Sequence, residues 1–210
     1  MADITFERPD QQASPLAHFI SQYWRTLAVA LAAVLLAVAG FAWYTVSARQ
    51  AKVKAEDELG AIIAVQTGPE RLTALETYLK NAPASTKGAA LLEIARTAQD
   101  QGAFDKAADA WNQLSITGPD GMRDLAILGR ATAMALGGDK AGGVKILADY
   151  MPKAPKAFQI VVARQLAGMA EEAQAWNEAL AAYQLLTDAA SSAIKPYYEA
   201  KVDEIKAKMK

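Results

Sequence analysis

A chain of 210 residues has room for one ordinary domain and an anchor, and its 52% hydrophobic content, rich in alanine, suits packed helices better than sheet. Formal net charge is −1, and from Arg49 onward 20 basic side chains balance 20 acidic ones, because only Arg8, Arg25, Asp3, Glu7 and Asp10 lie upstream; a neutral region with no basic run has no electrostatic reason to bind nucleic acid. Cysteine is absent and His18 is the single histidine, which excludes disulfides, thiolate catalysis and zinc–thiolate sites and leaves no material for a His–Ser–acid triad or a His-ligated metal.

Residues 1–25 form an N-terminal segment. Within it Leu16, Phe19, Ile20, Tyr23 and Trp24 fall at i, i+3, i+4, i+7 and i+8 behind Pro15, with Ser14 placed to cap. This spacing fits a short amphipathic helix in a membrane interface, or equally a plain extension of the helix that follows.

From Thr26 to Ala48 run 23 residues without a charge, bounded by Arg25 and Arg49. Twenty residues of helix rise roughly 30 Å, the thickness of a bilayer core. Trp24 and Trp43 stand 19 positions apart, about 28 Å, where interfacial aromatics belong. The sequence therefore predicts a transmembrane helix over 26–48. A cleaved signal peptide competes, since Val46, Ser47 and Ala48 are small enough for a cut. Against it, the leading segment is long and partly acidic, and the apolar run exceeds the usual h-region of roughly 7–15 residues. Charge does not settle orientation: Arg8 and Arg25 precede the span, and Arg49, Lys52 and Lys54 follow it.

Residues 49–210 are helical by pattern and repeat at a spacing of 36. Columns at that spacing hold Ala95, Ala131 and Ala167; Gly102, Gly138 and Gln174; and Phe104, Lys140 and Trp176. Further on come Ala107, Gly143 and Ala179; then Trp111, Leu147 and Tyr183; then Leu114, Tyr150 and Leu186. Pro83, Pro119 and Pro155 share another column, which breaks at Ser191. Small residues facing each other let two helices approach, glycine frees the turn between them, and proline sets up the next unit. Stacking buries the face that one hairpin leaves open. The fold expected is all-α: one N-terminal transmembrane helix and a solenoid of helical hairpins. Residues 51–87 fit the register loosely, because Arg71 stands where a small residue is expected and Gly68–Pro69 interrupts the first hairpin.

These columns resemble the tetratricopeptide repeat, although its Trp-Leu-Gly opening is missing from every unit. The order of features resembles a narrower family. An acidic N-terminus leads to Ala17-His18-Phe19-Ile20 and a span ending Gly40-Phe41-Ala42-Trp43-Tyr44. A charged helix and repeats follow, with Gly102-Ala103-Phe104-Asp105-Lys106-Ala107-Ala108 among them. This is similar to the YfgM-like ancillary subunit of the bacterial Sec translocon. The resemblance implies a single-pass inner-membrane protein with a cytoplasmic N-terminus and a periplasmic repeat domain. It also implies association with the SecYEG channel and with periplasmic chaperones such as PpiD.

The function expected is thus a membrane-anchored scaffold for proteins, with no catalysis, cofactor, metal or small-molecule substrate. The alternative is a repeat scaffold of envelope assembly, cell division or cytochrome maturation. An enzyme is disfavoured, because the acid pairs Asp57–Glu58 and Glu171–Glu172 are adjacent and helical neighbours diverge by about 100°. Gly137–Gly138 and Gly142–Gly143 lack the lysine of a phosphate loop. Helices that open each hairpin line the concave side of such a stack, so the register nominates Leu92, Arg96, Gln99, Leu128, Thr132, Arg164 and Glu171 as the protein-binding set.

Overall fold

The structure, a computed structural model, describes residues 15–119 and 121–210, with side chains described from Tyr23 onward except Leu27. The proposed cap Ser14 and the side chains of Leu16, Phe19 and Ile20 lie outside the described residues. Every regular element described is helical, and no strand occurs among the described residues. Nine α-helices are described: α1 (Pro15–Val65), α2 (Gly68–Asn81), α3 (Ala84–Asp100), α4 (Phe104–Thr117), α5 (Met122–Leu136), α6 (Lys140–Tyr150), α7 (Lys156–Glu172), α8 (Trp176–Ala189) and α9 (Lys195–Lys208). The chain divides into two compact units, Met1–Ala51 and Lys52–Lys210.

In the first unit, the segment expected in an interface and the segment expected in the bilayer belong to one unbroken helix, α1. It is the one helix among the described residues long and apolar enough to cross a membrane. Its large apolar side chains are exposed, Leu36 at 75% and Trp43 at 78%, so the helix presents a mostly apolar surface. The hydroxyls of Thr26, Thr45 and Ser47 donate to the carbonyls of Tyr23, Ala42 and Tyr44, which removes unsatisfied donors from the apolar stretch.

In the second unit the helices pack principally on their neighbours in sequence, and α5 also touches α7. The 36-residue spacing reappears in the backbone. Gly102, Gly138 and Gln174 all take positive φ, at 71°, 100° and 55°. The same hydrogen bonds close each turn: Ala103, Asp139 and Ala175 donate to Ala98, Met134 and Ala170 at 2.8, 2.9 and 2.8 Å. Five residues back is the Schellman arrangement, which satisfies carbonyls that a helix end would otherwise orphan. The next helices then start at Phe104, Lys140 and Trp176, again 36 apart.

The proline column acts at the other end of each pair. Carbonyls of Pro83, Pro119 and Pro155 accept from Thr86, Met122 and Phe158, and Ser191 does the same for Ile194. The break in that column at Ser191 is therefore a change of side chain and not of backbone role.

Core packing follows the columns. Ala95, Ala131, Ala107 and Ala179 are fully buried, and Ala167 is nearly so. Trp111, Leu147 and Tyr183 are buried beside them, and Leu75 fills the same column in α2. A Cβ on Gly143 would stand 2.7 Å from the Ala131 carbonyl oxygen, so α5 and α6 meet only because that residue is glycine. Helix α5 divides the core. Ala126 and Ala133 face the cluster built on Leu75, Leu91 and Leu114, while Leu128 and Ala131 face the one built on Leu147, Leu166 and Ile205. In α9 the alanine column holds the exposed Asp203.

Residues 52–87 keep the packing register and lose the turn. Leu59 and Leu75 are buried at their column positions, but the first turn puts its positive φ at Gly68, two places late. Arg71 is no defect in this turn: its guanidinium donates to the carbonyls of Ile63 and Gln66 at the end of α1.

Candidate functional site

The seven residues nominated from the register do not share one environment. Leu128 is 5% exposed and belongs to the core. Glu171 is half-buried, and its carboxylate accepts from the Tyr183 hydroxyl and, at 3.0 Å, from the Lys201 ammonium. These two leave the surface set. Leu92 and Gln99 are half-buried on α3, and Arg96 is exposed beside Glu93, with 3.8 Å between charged atoms.

Thr132 and Arg164 are brought together. They line a groove of about 650 Å³ between α5 and α7, with Leu136, Gln165, Gly168 and Met169. Gln165 stitches its wall by donating to the Leu128 carbonyl and to the Thr132 hydroxyl. Thr132 in turn donates to the Leu128 carbonyl at 3.0 Å, so these polar groups are satisfied within the protein. Arg164 is exposed and makes no ion pair among the described residues, whereas Lys140 at the same groove is held by Glu172 at 2.9 Å. The adjacent carboxylates Glu171 and Glu172 thus serve different partners, Lys201 on α9 and Lys140 on α6. A larger groove, about 710 Å³, lies between the end of α1 and α2, lined by Ala55, Ile62, Thr73 and Tyr78 among others.

The structure adds a set that the nominated residues omit. Leu125, Val161 and Tyr197 occupy one position of the 36-residue register on α5, α7 and α9, and all three are exposed. Val53 near the end of α1 and the exposed Ala89 on α3 extend the same column. Three residues earlier stand Met122 and Phe158, half-buried, and Ile194, exposed. Side chains three apart on a helix are neighbours, so on each of α5, α7 and α9 these residues form a short apolar strip, while the earlier column is polar at Gln50 and Thr86. The later column was visible in the sequence as a run of apolar residues at 53, 89, 125, 161 and 197. Spacing alone assigns such residues to the core.

Two tyrosine hydroxyls are perturbed at joints between helices. Burial and a hydrogen bond to Asp124 push the Tyr150 hydroxyl well above its ordinary value, and burial with the Glu171 bond does so for Tyr183. Both hydroxyls stay neutral donors that hold helices together. No protein-family model matches the chain, and neither the curated proteins nor the solved structures contain a match.

Proposed function

We propose that this chain is a membrane-anchored scaffold that binds other proteins, with α1 crossing the bilayer between Arg25 and Arg49 and the helical repeat acting as a tetratricopeptide-like solenoid. The observation that carries this reading is the sequence of one fully exposed apolar helix followed by paired helices whose turns recur every 36 residues. An apolar helix without a protein cover is stable in lipid, and stacked pairs present a long surface of mixed character that suits a polypeptide. Tethering raises the local concentration of whatever the repeat holds, so weak contacts suffice.

In its narrower form the proposal follows the resemblance. The protein is an ancillary subunit of the Sec translocon in the bacterial inner membrane, with its N-terminus in the cytoplasm and its repeat in the periplasm. There it links SecYEG to a periplasmic chaperone such as PpiD, or to emerging clients. The test is crosslinking in living cells from the repeat, followed by mass spectrometry, with carbonate extraction and a reporter fused after Lys210. The reading predicts carbonate-resistant membrane association, reporter activity outside the cytoplasm, and crosslinks to translocon or chaperone subunits. A soluble mature chain beginning near Arg49 overturns the anchor. Crosslinks confined to cell-division or cytochrome-assembly proteins replace the narrower form.

A further inference from the structure

The hairpin of α3 and α4 carries another helix on the face between its two members. That face holds Leu91 and Ile94 from α3 with Ala110 and Leu114 from α4, all buried. Leu166 and Ala182, at the same positions of the α7–α8 hairpin, are buried too. The helix on the α3–α4 face is α2. Its Glu76 and Leu79 share one cleft with Leu91, Ile94 and Ala110, and Glu76 accepts from the Lys106 ammonium of α4 at 2.7 Å.

One repeat earlier, the end of α1 and α2 form the first hairpin, and the same face lies open. Ile62 and Ala74 stand where Ala98 and Ala110 are buried, yet both are only half-buried and line the groove of about 710 Å³. The element that covers the α3–α4 face comes from the preceding hairpin, and no described helix precedes α1. Ala55 to Gln66 on one wall and Glu70 to Asn81 on the other each span about three helical turns. Glu58, Thr73 and Thr77 make the rim polar, as an end that meets water requires, while Ile62, Ala74 and Tyr78 leave the floor apolar, as a joint requires.

We propose that this groove docks one amphipathic helix of a partner protein, with an apolar stripe for the floor and lysine or arginine along its edge. The inference rests on the scaffold reading above and gives the scaffold a contact at the end of its repeat, in the place that α2 takes on the next hairpin. A helix fits because the same face takes a helix one repeat along. An extended chain would turn backbone donors and acceptors toward Ile62 and Ala74, which cannot pair with them.

Charge selects the rest of the occupant. Glu58 and Glu70 line the groove and no cation does. Neither carboxylate has an ion pair among the described residues. Glu70 stands 36 residues before Lys106, the residue that holds Glu76 of the covering helix. The sign is reversed on the first hairpin, so there the covering helix brings the cation. Lys54, one turn before Glu58, lies outside the lining, and Arg71 beside Glu70 turns its guanidinium to the carbonyls that end α1. A second copy of α2 would set its own Glu70 and Glu76 against these carboxylates, like charge against like.

The test uses the full chain in nanodiscs of zwitterionic lipid, empty nanodiscs as the blank, and two labelled helical peptides. Both peptides carry the same leucine stripe, flanked by lysine in one and by glutamate in the other. By fluorescence anisotropy the lysine peptide is expected to bind more tightly. Thr73→Arg with Thr77→Arg fills the groove and should weaken that binding about tenfold or more. Melting should stay unchanged, because both threonines are exposed and their hydroxyls bond only carbonyls of α2. Glu58→Lys with Glu70→Lys should transfer the preference to the glutamate peptide, a reversal that loss of the fold would not produce. The proposal is overturned by no binding above the blank, by equal binding of the two peptides, or by binding insensitive to either pair of substitutions. Self-association of the wild type that the arginine pair abolishes overturns it as well. In each of these the scaffold reading still stands if crosslinking in cells recovers protein partners through another face, and it falls only if none is recovered.

Discussion

Arg71 reaches back across the first interhelix turn and donates from Nη2 to the carbonyl oxygen of Ile63 at 2.9 Å. Its Nε donates to Gln66 at 2.7 Å, so one guanidinium satisfies two carbonyls at the end of α1. The later turns do this with backbone N–H groups, which require a residue at positive φ one place before the closing donor. Arg71→Ala is expected to lower stability by about 1–3 kcal/mol, since half-buried acceptors lose their partners. Arg71→Lys recovers little, because a single ammonium cannot serve both carbonyls with the geometry of a planar fork. Equal melting temperatures for wild type and Arg71→Ala would show that water caps the helix as well as arginine does.

Gln174 is the one non-glycine residue with positive φ among the described residues, at 55°, in a column otherwise filled by Gly102 and Gly138. A side chain in the left-handed region costs roughly 1–2 kcal/mol. Gln174→Gly is therefore expected to stabilise by up to about 1 kcal/mol, strain relief exceeding the added freedom of the unfolded chain. Gly138→Gln should destabilise by a similar amount. A Cβ there meets open space, so backbone strain is the whole effect. Chemical denaturation of the two variants checks both signs.

The turns were legible because their requirement is local: positive φ needs glycine or tolerates glutamine at a cost, and the requirement recurs at 102, 138 and 174. The small-residue columns were legible for the same reason, at Ala107, Gly143 and Ala179. The surface was harder to read. Leu128 and Leu125 are both apolar residues on α5, three apart, yet one is buried and the other exposed. Which of them is covered depends on where α7 comes to rest, and helical periodicity carries no information about that. Glu171 was misplaced for the same reason. Its partners Tyr183 and Lys201 are 12 and 30 residues away, and nothing near Glu171 in the chain announces them.

Ala107→Leu and Ala179→Leu are expected to damage folding more than Ala200→Leu. The first two residues are fully buried between paired helices and the third is exposed. Overpacking costs about 1–3 kcal/mol, against almost nothing at the surface. Gly143→Ala sharpens the comparison, because alanine is the better helix former by about 1 kcal/mol. Its Cβ would stand 2.7 Å from the Ala131 carbonyl oxygen, a backbone atom that cannot swing aside. A net loss of stability in Gly143→Ala shows that contact outweighing propensity. A gain would mean that α5 and α6 separate without cost.

Glu171, nominated for the binding set, is instead the hub that fastens α9. It takes the Tyr183 hydroxyl from α8 and the Lys201 ammonium from α9, and Lys201 also reaches Glu204 at 3.1 Å. Glu171→Ala leaves the buried Tyr183 hydroxyl without an acceptor and should cost about 1–3 kcal/mol. Glu171→Gln should cost less, since an amide oxygen still accepts from Tyr183. The network also predicts a pH dependence. Hydrogen bonds that Lys201 donates to Glu171 and Glu204 raise its pKa above 10.5, and burial followed by the Glu171 bond raises Tyr183 above 10.0. Both folded values exceed the unfolded ones, so the fold favours the protonated forms. Their contribution is intact below pH 10 and is lost as pH rises through the folded values above it. Melting temperature should therefore fall as pH rises beyond about 10, more steeply in the wild type than in Lys201→Met, which lacks the Lys201 component. Identical alkaline profiles for the two proteins would remove Lys201 from the account of how α9 is held.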